Sequence, residues 1–507
     1  SNSALTLANW SLVEKKYGVK NYRYNATYGV DANGKQYSED YNVYHKPQIS
    51  LNHQWLINSK SNLSTSAYLS IGRGYGYAGE ANDADYSDVS YKTLRGANYG
   101  ALNMTYRNAD GTFDYGAVEE LNANNENGSI MVMTKAKNYH NWYGLVSTYN
   151  TKLTKDIDFY GGVDFRFYKG THTNDIVDLY GGKYFIDSTR KSVKPENNAN
   201  AANQSWVYQK LGVGDAVYRD YDGHVVQEGA FFQAEYSKNG LSSFLSGSLA
   251  NTSYGRYDRL YYDKKNAESE TKNYLGFTVK GGANYNFNEH HNAFFNVGYI
   301  SRAPKFNYGA FLSFASSNVT NPDAKNEKVV SFELGYGYRL KWLQVDVNAY
   351  WTKWLDKTMA KSSTVGTAQV DAFVNMTGVN ALHKGIEIEA KASPLYWLDV
   401  NAMFSIGDWK WDSNAKGYVF DYNGQPLTKD GSIASGIGAE DHLSTGINLK
   451  GIHVGGAAQT TAALGATIKI GKEIRIGADW TLYARNYAYY SISGSNLSLG
   501  KTNTVAD

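Results

Sequence analysis

Apolar and polar side chains alternate one by one along most of this chain. Residues of a β-strand point to opposite faces in turn, so each alternating segment predicts a strand with one apolar and one polar face. Six segments show the alternation clearly: residues 63–71, 157–168, 330–340, 343–352, 398–406 and 474–483. Eight weaker copies begin near His45, Asn141, Gln227, Leu241, Leu275, Asn292, Leu382 and Gln459. The sequence therefore predicts roughly fourteen strands.

The predicted strands are unusually long. Each covers about 9 to 14 residues, whereas strands of soluble proteins average about 5 to 6 residues. A tilted strand that spans a bilayer needs about 9 to 11 residues. The lengths favour a transmembrane β-barrel over a soluble β-sandwich, lectin or propeller.

The connections between the strands alternate between short and long. Short turns are predicted at residues 58–60, 154–156, 238–240, 288–290, 341–342, 393–395 and 471–473. Long loops are predicted at residues 73–139, 170–224, 302–326, 356–377 and 413–443. Outer-membrane barrels have short periplasmic turns and long external loops. The predicted fold class is thus an all-β transmembrane antiparallel barrel.

The polar face of the strands carries full charges, which would be costly inside a packed core. A barrel interior lined by these charges must hold water or a polar plug, so the barrel must be wide. The charges predicted to face the interior are Asp158, Asp164, Arg166, Glu333, Arg339, Asp346, Glu387, Glu389, Lys391, Arg475 and Asp479.

Composition adds three points. The 44 Tyr and 11 Trp suit a β-rich protein with much interfacial surface, because these rings combine an apolar body with a polar tip. With 50 Lys and Arg against 48 Asp and Glu, no charge excess predicts a nucleic-acid partner. The chain has no cysteine, which excludes disulfides and cysteine-ligated metal centres.

Several short motifs that could carry chemistry have simpler interpretations. Gly74 to Gly79 fit G-x-G-x-x-G, but no helical pattern follows, so we expect a glycine-aromatic loop and not a dinucleotide site. Turns are also expected at Glu289-His290-His291 and at three Asx-Gly stretches, and bound calcium in the latter stays open. These stretches are Asp31 to Gly34, Asp220 to Gly223 and Asp421 to Gly424. We predict no catalytic residues, no metal site and no cofactor, because no nucleophile–base or metal-ligand spacing is found.

A set of motifs between residues 299 and 389 is more specific. In order, they are Arg302-Ala303-Pro304, Asn321-Pro322, Asn326-Glu327-Lys328, Glu333-Leu334-Gly335-Tyr336, Asn348-Ala349-Tyr350 and Gly385-Ile386-Glu387-Ile388-Glu389. In this order and spacing they resemble the barrel of TonB-dependent outer-membrane receptors. The Tyr- and Asn-rich loops are similar to those of receptors from Bacteroides-like bacteria. Within these motifs, the resemblance implies a structural role for Arg302, Pro304, Glu327, Glu333, Gly335, Gly385 and Glu387.

Receptors of this family have a plug domain inside a barrel of 22 strands. The resemblance implies that residues 1–507 form a barrel segment, with the fourteen strands as numbers 6 to 19 and with the plug and last strands absent. It also implies a cell outer membrane location in a Gram-negative bacterium, partnership with the lipid bilayer and the TonB energy-coupling complex, and active import of a scarce large solute. A siderophore–iron complex is the commonest cargo. Cobalamin, glycan or peptide cargo, a surface lipoprotein partner, and a passive porin or surface-binding barrel remain alternatives.

Cargo contacts are expected from aromatic side chains in the loops, because flat rings grip large amphipathic ligands. The same rings could instead belong to the aromatic girdle at the membrane interface. The seven candidates are Tyr75, Tyr77, Trp206, Tyr208, Tyr221, Phe311 and Trp411.

Overall fold

The fold is described from a computed structural model. It describes residues 7–18, 24–37, 42–81, 97–98, 101–102, 105–312, 316–367, 370–421, 423–488 and 497–505. Helices occur at Leu7–Tyr17, Tyr115–Ala123 and Gln204–Val207, with 3-10 helices at Ser188–Ser192 and Ala199–Ala202. In the described ranges, every helix is too short or too polar to cross a membrane.

Strands dominate the rest of the chain. In chain order they are β1 (Gly29–Val30), β2 (Gln36–Tyr37), β3 (Asn42–His45), β4 (Gln48–Asn58), β5 (Ser61–Ala81), β6 (Ala97–Asn98), β7 (Ala101–Leu102), β8 (Phe113–Asp114), β9 (Met131–Lys152), β10 (Ile157–Asp178), β11 (Ala216–Lys238) and β12 (Leu241–Asp258). They continue with β13 (Lys272–Asn286), β14 (His291–Arg302), β15 (Glu327–Arg339), β16 (Leu343–Val365), β17 (Val370–Leu395), β18 (Leu398–Trp411), β19 (Ala415–Phe420), β20 (Ser444–Asn448), β21 (Ala458–Ile470), β22 (Ile474–Asn486) and β23 (Thr502–Thr504).

The long strands form one antiparallel wall. Each pairs with the next in the order β4-β5-β9-β10-β11-β12-β13-β14-β15-β16-β17-β18-β21-β22. All fourteen predicted strands are present in it. The predicted all-β antiparallel architecture is therefore confirmed.

Eight of the fourteen wall strands are longer than the predicted 9 to 14 residues, running from 15 residues in β13 to 26 in β17. Three predicted loops were therefore wrong in extent, among them the 170–224 loop, which covers only residues 179–215 because β10 ends at Asp178 and β11 begins at Ala216. The 73–139 loop begins only after β5 ends at Ala81, and β9 starts already at Met131. The 356–377 loop is largely replaced by β16 and β17, which continue to Val365 and from Val370. The parts of β16 and β17 nearest Val365 and Val370 pack into a buried cluster, so their side chains do not alternate between lipid and water. Periodicity therefore did not reveal these parts.

One short turn was also misplaced. The turn predicted at residues 393–395 lies at residues 396–397, because β17 continues to Leu395. The register between β17 and β18 shifts between Ala392 and Leu395. Pro394 falls in this irregularity, where a proline does not interrupt a regular hydrogen-bond ladder.

Strand order closes the wall into a barrel through the short strands β23 and β3. Residue registers join β23 to β20 and β3 to β5, and within the residues that the structure describes none joins β22 to β4. All of β4 and nearly all of β22 is exposed. The long strands at the two ends of the wall thus have no long partner on their outer edges among the described residues.

The two faces of the wall differ as predicted. A cavity of about 650 Å³ crosses five neighbouring strands and is lined by polar groups that include Asp158, Gln233, Glu235, Asn284 and Asn296. The strand registers place these residues on one face of the wall, which Phe244 and Phe294 also line. The other face exposes large apolar side chains, among them Val163, Phe165, Leu275, Phe332, Leu334 and Ile386.

The buried core lies at the long-loop end of the protein and not within the wall. The largest cluster joins the upper parts of β16 and β17 to β19 and β20, around residues such as Val374, Met376, Val419 and Ile447. A second cluster packs the three-stranded sheet β2-β1-β8 and the helix Tyr115–Ala123 against the tops of β9 and β10. The long loops therefore fold as packed structures.

Candidate functional site

Loops from distant strands touch at the long-loop end. Lys194, between β10 and β11, donates to Asp421 at 2.7 Å, and Asn197 donates to Asn423 at 2.9 Å. Six strands, β12 to β17, separate these loops along the wall, which is about 30 Å at the usual strand spacing. The contacts must cross the enclosed space, so the loops cover this end of the wall.

A third loop, between β14 and β15, takes part in the same cover. Asn375 on β17 donates to Asn321 of this loop at 2.8 Å. Tyr308 stacks on Phe373, with 5.6 Å between the ring centroids. These contacts join the β14–β15 loop to β17, which pairs with β19 up to Phe420, next to Asp421.

Beneath the cover, β11 places opposite chemistry on its two faces. Tyr221 is buried, with the Arg256 guanidinium carbon 3.7 Å from its ring centroid and the His172 ring stacked at 4.9 Å. Arg256 in turn forms a fully buried salt bridge with Asp258, with 3.1 Å between Nη2 and Oδ2. This face is a rigid aromatic and charged stack.

On the other face, Arg259 joins the two carboxylates that flank Tyr221. Arg259 bonds Asp220 at 2.7 Å and Asp222 at 2.9 Å, and Lys169 also bonds Asp222 at 2.9 Å. Burial by itself would lower the pKa of Arg259, but its bonds to Asp222 and Asp220 raise it above the ordinary value. The positive charge of Arg259 is thus held and largely neutralised.

A cavity of about 380 Å³ lies where the β10–β11 loop meets the β12–β13 connection; we call it the Arg190 cavity. It is lined by Arg190, Asn198, Asn200, Trp206, Tyr257, Arg259, Leu260, Tyr262, Asp263, Lys264 and Ala267. The guanidinium carbon of Arg190 lies 4.8 Å from the ring centroid of Trp206. Burial lowers the pKa of Arg190, and the nearby carboxylates of Asp187 and Asp215 act in the opposite direction.

The structure distributes the seven aromatic candidates over several places. Trp206 lines the Arg190 cavity, and Tyr208 is exposed nearby with the Lys191 ammonium 5.0 Å from its ring centroid. Tyr221, Phe311 and Trp411 are buried, and Tyr221 and Trp411 lie on strands β11 and β18 and not in loops as expected. Phe311 packs on Phe306 at 4.8 Å between centroids, and Trp411 belongs to the largest cluster. Of these five, Trp206 and Tyr208 lie near each other, in the helix Gln204–Val207 and at its C-cap.

Tyr75 and Tyr77 lie on β5, so the expectation of a glycine-aromatic loop at Gly74 to Gly79 was wrong. They continue the alternation of the apolar face, which includes the exposed Ile71. Their rings are 5.9 Å apart, and the Lys135 ammonium lies 4.7 Å from the Tyr75 centroid. The strand continues here because the motif is paired residue by residue with β9.

Arg302, Pro304 and Glu327 make contacts near strand ends, whereas Glu333 and Glu387 lie on the polar face within the wall. Arg302 bonds Glu327 through Nη2 at 2.7 Å and Nε at 3.2 Å, joining the ends of β14 and β15. The Pro304 carbonyl accepts a bond from the buried Tyr254 hydroxyl at 2.9 Å. Glu333 accepts from Asn296 at 3.3 Å, and Glu387 lies opposite Asn348 and Ser405 in the wall.

Two glycines in the motifs occupy crowded positions. A Cβ at Gly335 would lie 2.1 Å from the Phe294 ring. A Cβ at Gly385 would lie 2.5 Å from the Tyr350 hydroxyl and 2.6 Å from the Ile406 carbonyl oxygen. On the polar face, the Phe294 ring therefore lies directly over Gly335, and the Tyr350 side chain lies directly over Gly385.

Two of the three Asx-Gly stretches are turns, as predicted. Asp31 accepts backbone bonds from Asn33 and Lys35, Asp421 accepts from Asn423 and Gln425, and both Gly34 and Gly424 have positive φ. Tyr422 lies outside the described residues. Asp220 to Gly223 was wrongly expected to turn and runs within β11 instead. No group of three His, Asp or Glu suited to a metal ion occurs in the described part of the chain.

The predicted turn at Glu289-His290-His291 lies between β13 and β14. Backbone bonds from His290 and His291 to the Asn288 side chain close it, at 2.8 and 3.1 Å. The histidines interact with the next strand, where His290 Nδ1 lies 2.8 Å from the Arg339 carbonyl oxygen. These contacts are those of a structural turn.

Sequence reasoning missed the cations of the Arg190 cavity. Arg190 lies in the β10–β11 loop, whereas Tyr257, Arg259 and Lys264 lie at or just after the end of β12. Because β11 and most of β12 separate the two segments, no spacing joins them. The one local signal is the stretch from Tyr254 to Lys265, where basic side chains interleave with four tyrosines.

Comparison with known proteins supports the fold. Residues 9–505 match the family model described as TonB dependent receptor-like, beta-barrel. No curated protein sequence matches the chain. The siderophore receptor PiuA from Acinetobacter baumannii is similar in structure, with 12% identity and a TM-score of 0.50 over 86% of this chain and 54% of that chain.

Two further solved structures are similar at lower scores. The ferric-catecholate import receptor Fiu from E. coli K12 has 11% identity and a TM-score of 0.47, over 87% of this chain and 54% of that chain. The copper transporter OprC has 11% identity and a TM-score of 0.45, over 89% and 67%. The chain spans about half the length of the first solved structures that it matches. Because the family model covers nearly all of the chain, this protein belongs to the TonB-dependent receptors, a non-enzymatic family of outer-membrane β-barrel proteins.

Proposed function

We propose that the complete protein imports a scarce large solute across the outer membrane by TonB-dependent active transport. The observation that carries the proposal is the loop assembly, in which rings and cations lie at the long-loop end of a wall whose polar face carries charged side chains. Such an arrangement suits capture of a large solute outside, followed by release into an aqueous path. We favour a siderophore–iron complex, because it is the commonest cargo of this family.

The rest of the machinery is part of the same proposal. Residues 1–507 would be a barrel segment, with a plug and further strands supplied by other parts of the protein and with the plug engaging the TonB complex. Charged lumenal side chains such as Glu333, Asp346 and Glu387 support it, since a polar plug would give them partners. A surface lipoprotein that covers the loops is a further proposed partner.

For cargo contact we propose Trp206 and Tyr208 first among the seven aromatics, because these two lie together beside cations. Tyr75 and Tyr77 are proposed second and not first, because they lie on the apolar face of β5 together with the exposed Ile71. Buried Tyr221, Phe311 and Trp411 would act only if the loops rearranged.

The test compares uptake by a strain from which the gene is deleted with uptake by the same strain after the complete gene is restored. With radiolabelled iron supplied as siderophore complexes, uptake should require the gene and should stop when a protonophore collapses the inner-membrane gradient. Uptake that survives the protonophore would support a passive porin instead. Uptake of cobalamin, glycan or peptide without any effect on iron would replace the cargo but keep the transport class.

A pair of double variants then locates the contact. Trp206→Ala with Tyr208→Ala should lower uptake while barrel assembly, measured by the heat-dependent gel shift, stays normal. Tyr75→Ala with Tyr77→Ala should also leave assembly intact. If uptake by this second variant is unchanged, Tyr75 and Tyr77 have no role in cargo contact.

A further inference from the structure

We propose that the Arg190 cavity binds an acidic group, a phosphate or carboxylate, of a soluble organic solute. This inference rests on the proposed function, according to which the bound solute is imported, and adds that the solute carries a negative charge. It depends on the cavity between the β10–β11 loop and the β12–β13 connection, which has a volume in the range of small-molecule sites.

Arg190 supplies the first reason. Its side chain is only 7% exposed, and Nη1 donates to the Trp206 carbonyl at 3.0 Å and to Gln209 at 2.6 Å. Its Nε is buried and has no hydrogen-bond partner in the part of the chain that the structure describes. No salt bridge to Arg190 is found there either. A buried guanidinium with an unused donor is costly unless an acceptor completes it.

The charges around the cavity supply the second reason. Three cations and one carboxylate line it: Arg190, Arg259, Lys264 and Asp263. Arg259 is neutralised by Asp220 and Asp222. Asp263 already accepts backbone bonds from Ala199, Lys265 and Asn266. With Arg259 paired, Arg190 and exposed Lys264 still outnumber Asp263 among the charged groups that line the cavity, and the carboxylates of Asp187 and Asp215 that act on Arg190 are not part of the lining.

The remaining lining groups fit the organic part of such a solute. Trp206 and Tyr257 provide rings, and Asn198 and Asn200 provide amides. Arg190 holds Trp206 in place through both its carbonyl and its ring. An acid with an attached ring or polyol would use the cations for its charge and these side chains for its body.

The test is calorimetric titration of the purified complete protein in neutral detergent with citrate and with inorganic pyrophosphate. Both should saturate one site and compete with each other, and glycerol should not bind. Lys264→Gln should weaken binding about fivefold, which corresponds to roughly 1 kcal/mol. Lys265→Gln is the matched control, because Lys265 is the exposed neighbour that does not line the cavity, and it should leave binding unchanged.

Three results would overturn the proposal. The first is no saturation by either anion at millimolar concentration, and the second is equal effects of both lysine variants. The third is that the protein binds only micelles that contain anionic phospholipid, and not the soluble anions. Arg190→Gln should weaken binding more than Lys264→Gln does. If Arg190→Gln does not fold, the measurement on Lys264→Gln still tests the proposal. Binding in detergent needs neither a plug nor energy coupling. A failure of import with intact binding would therefore refute the transport proposal alone.

Discussion

Lys194 and Asp421 lie 227 positions apart in the chain, yet Lys194 Nζ is 2.7 Å from Asp421 Oδ2. The side chain of Asp421 is 9% exposed and that of Lys194 is 42% exposed, so water screens the pair only partly. With the bond between Asn197 and Asn423, it fastens two loops that arise from well-separated strands.

The first prediction concerns this contact. Because residues 1–507 contain no cysteine, Asn197→Cys with Asn423→Cys introduces the only two thiols of this segment. A short bis-maleimide should cross-link them in intact cells, and adding Lys194→Met should lower the yield as a contribution on the order of 1 kcal/mol is lost. Single-cysteine variants serve as controls. An unchanged yield with Lys194→Met would show that the ion pair does not hold the loops together.

The second prediction concerns Arg302 and Glu327. Glu327 is 5% exposed and accepts two bonds from Arg302, whose guanidinium carbon also lies 5.5 Å from the Trp354 ring centroid. Arg302→Lys keeps the charge but loses the planar fork, so it should lower stability by about 1 to 3 kcal/mol. Thermal unfolding in detergent measures the loss. Glu289→Gln in an exposed turn should have no comparable effect, and an equal melting temperature for all three proteins would contradict the role of the pair.

The third prediction separates two crowded glycines. Gly335→Ala should destabilise the wall, and Phe294→Leu should restore it, because the Phe294 ring is the obstacle. Gly385→Ala should destabilise the wall as well, but Tyr350→Phe should not restore it, since the Ile406 carbonyl oxygen still lies 2.6 Å from the new Cβ. Assembled protein is quantified by the heat-dependent gel shift. Equal rescue in both cases would mean that backbone contact is not limiting.

The fourth prediction tests the two faces of β15 at adjacent positions. Leu334 is 64% exposed on the apolar face, whereas Glu333 lies on the polar face. Leu334→Arg places a charge against lipid near the middle of the strand and should cost about 2 to 4 kcal/mol of folding stability. Glu333→Arg should be tolerated by assembly. Urea titration of folding into vesicles measures both, and a tolerated Leu334→Arg would argue against a lipid-facing position.

Alternation predicted the wall well because each spanning strand places apolar side chains on one face and polar side chains on the other. Leu334 and Glu333 differ in neighbours, and that difference is local in sequence. The same logic failed for the tops of β16 and β17, where Val374 and Met376 are covered by β19 and β20 and not by lipid. Covering elements come from elsewhere in the chain, so no local period marks these extensions.

The candidate site was predictable only in part. Trp206 and Tyr208 were identified as loop aromatics, but the cations beside them were not, because Arg190 and Lys264 meet only after two loops fold together. The helices Leu7–Tyr17 and Tyr115–Ala123 also escaped prediction. They are short, and tertiary packing stabilises them more than any pattern of their own.

The sequence Asp220-Tyr221-Asp222 specifies how β11 is aligned with its neighbours. In the native alignment both carboxylates reach Arg259, and the ring between them reaches Arg256. A slip by one residue would turn the carboxylates to the face of the buried stack and the ring to the face of Arg259. Either change leaves buried charges without partners. A misaligned strand would therefore be rejected during assembly by charge rather than by shape.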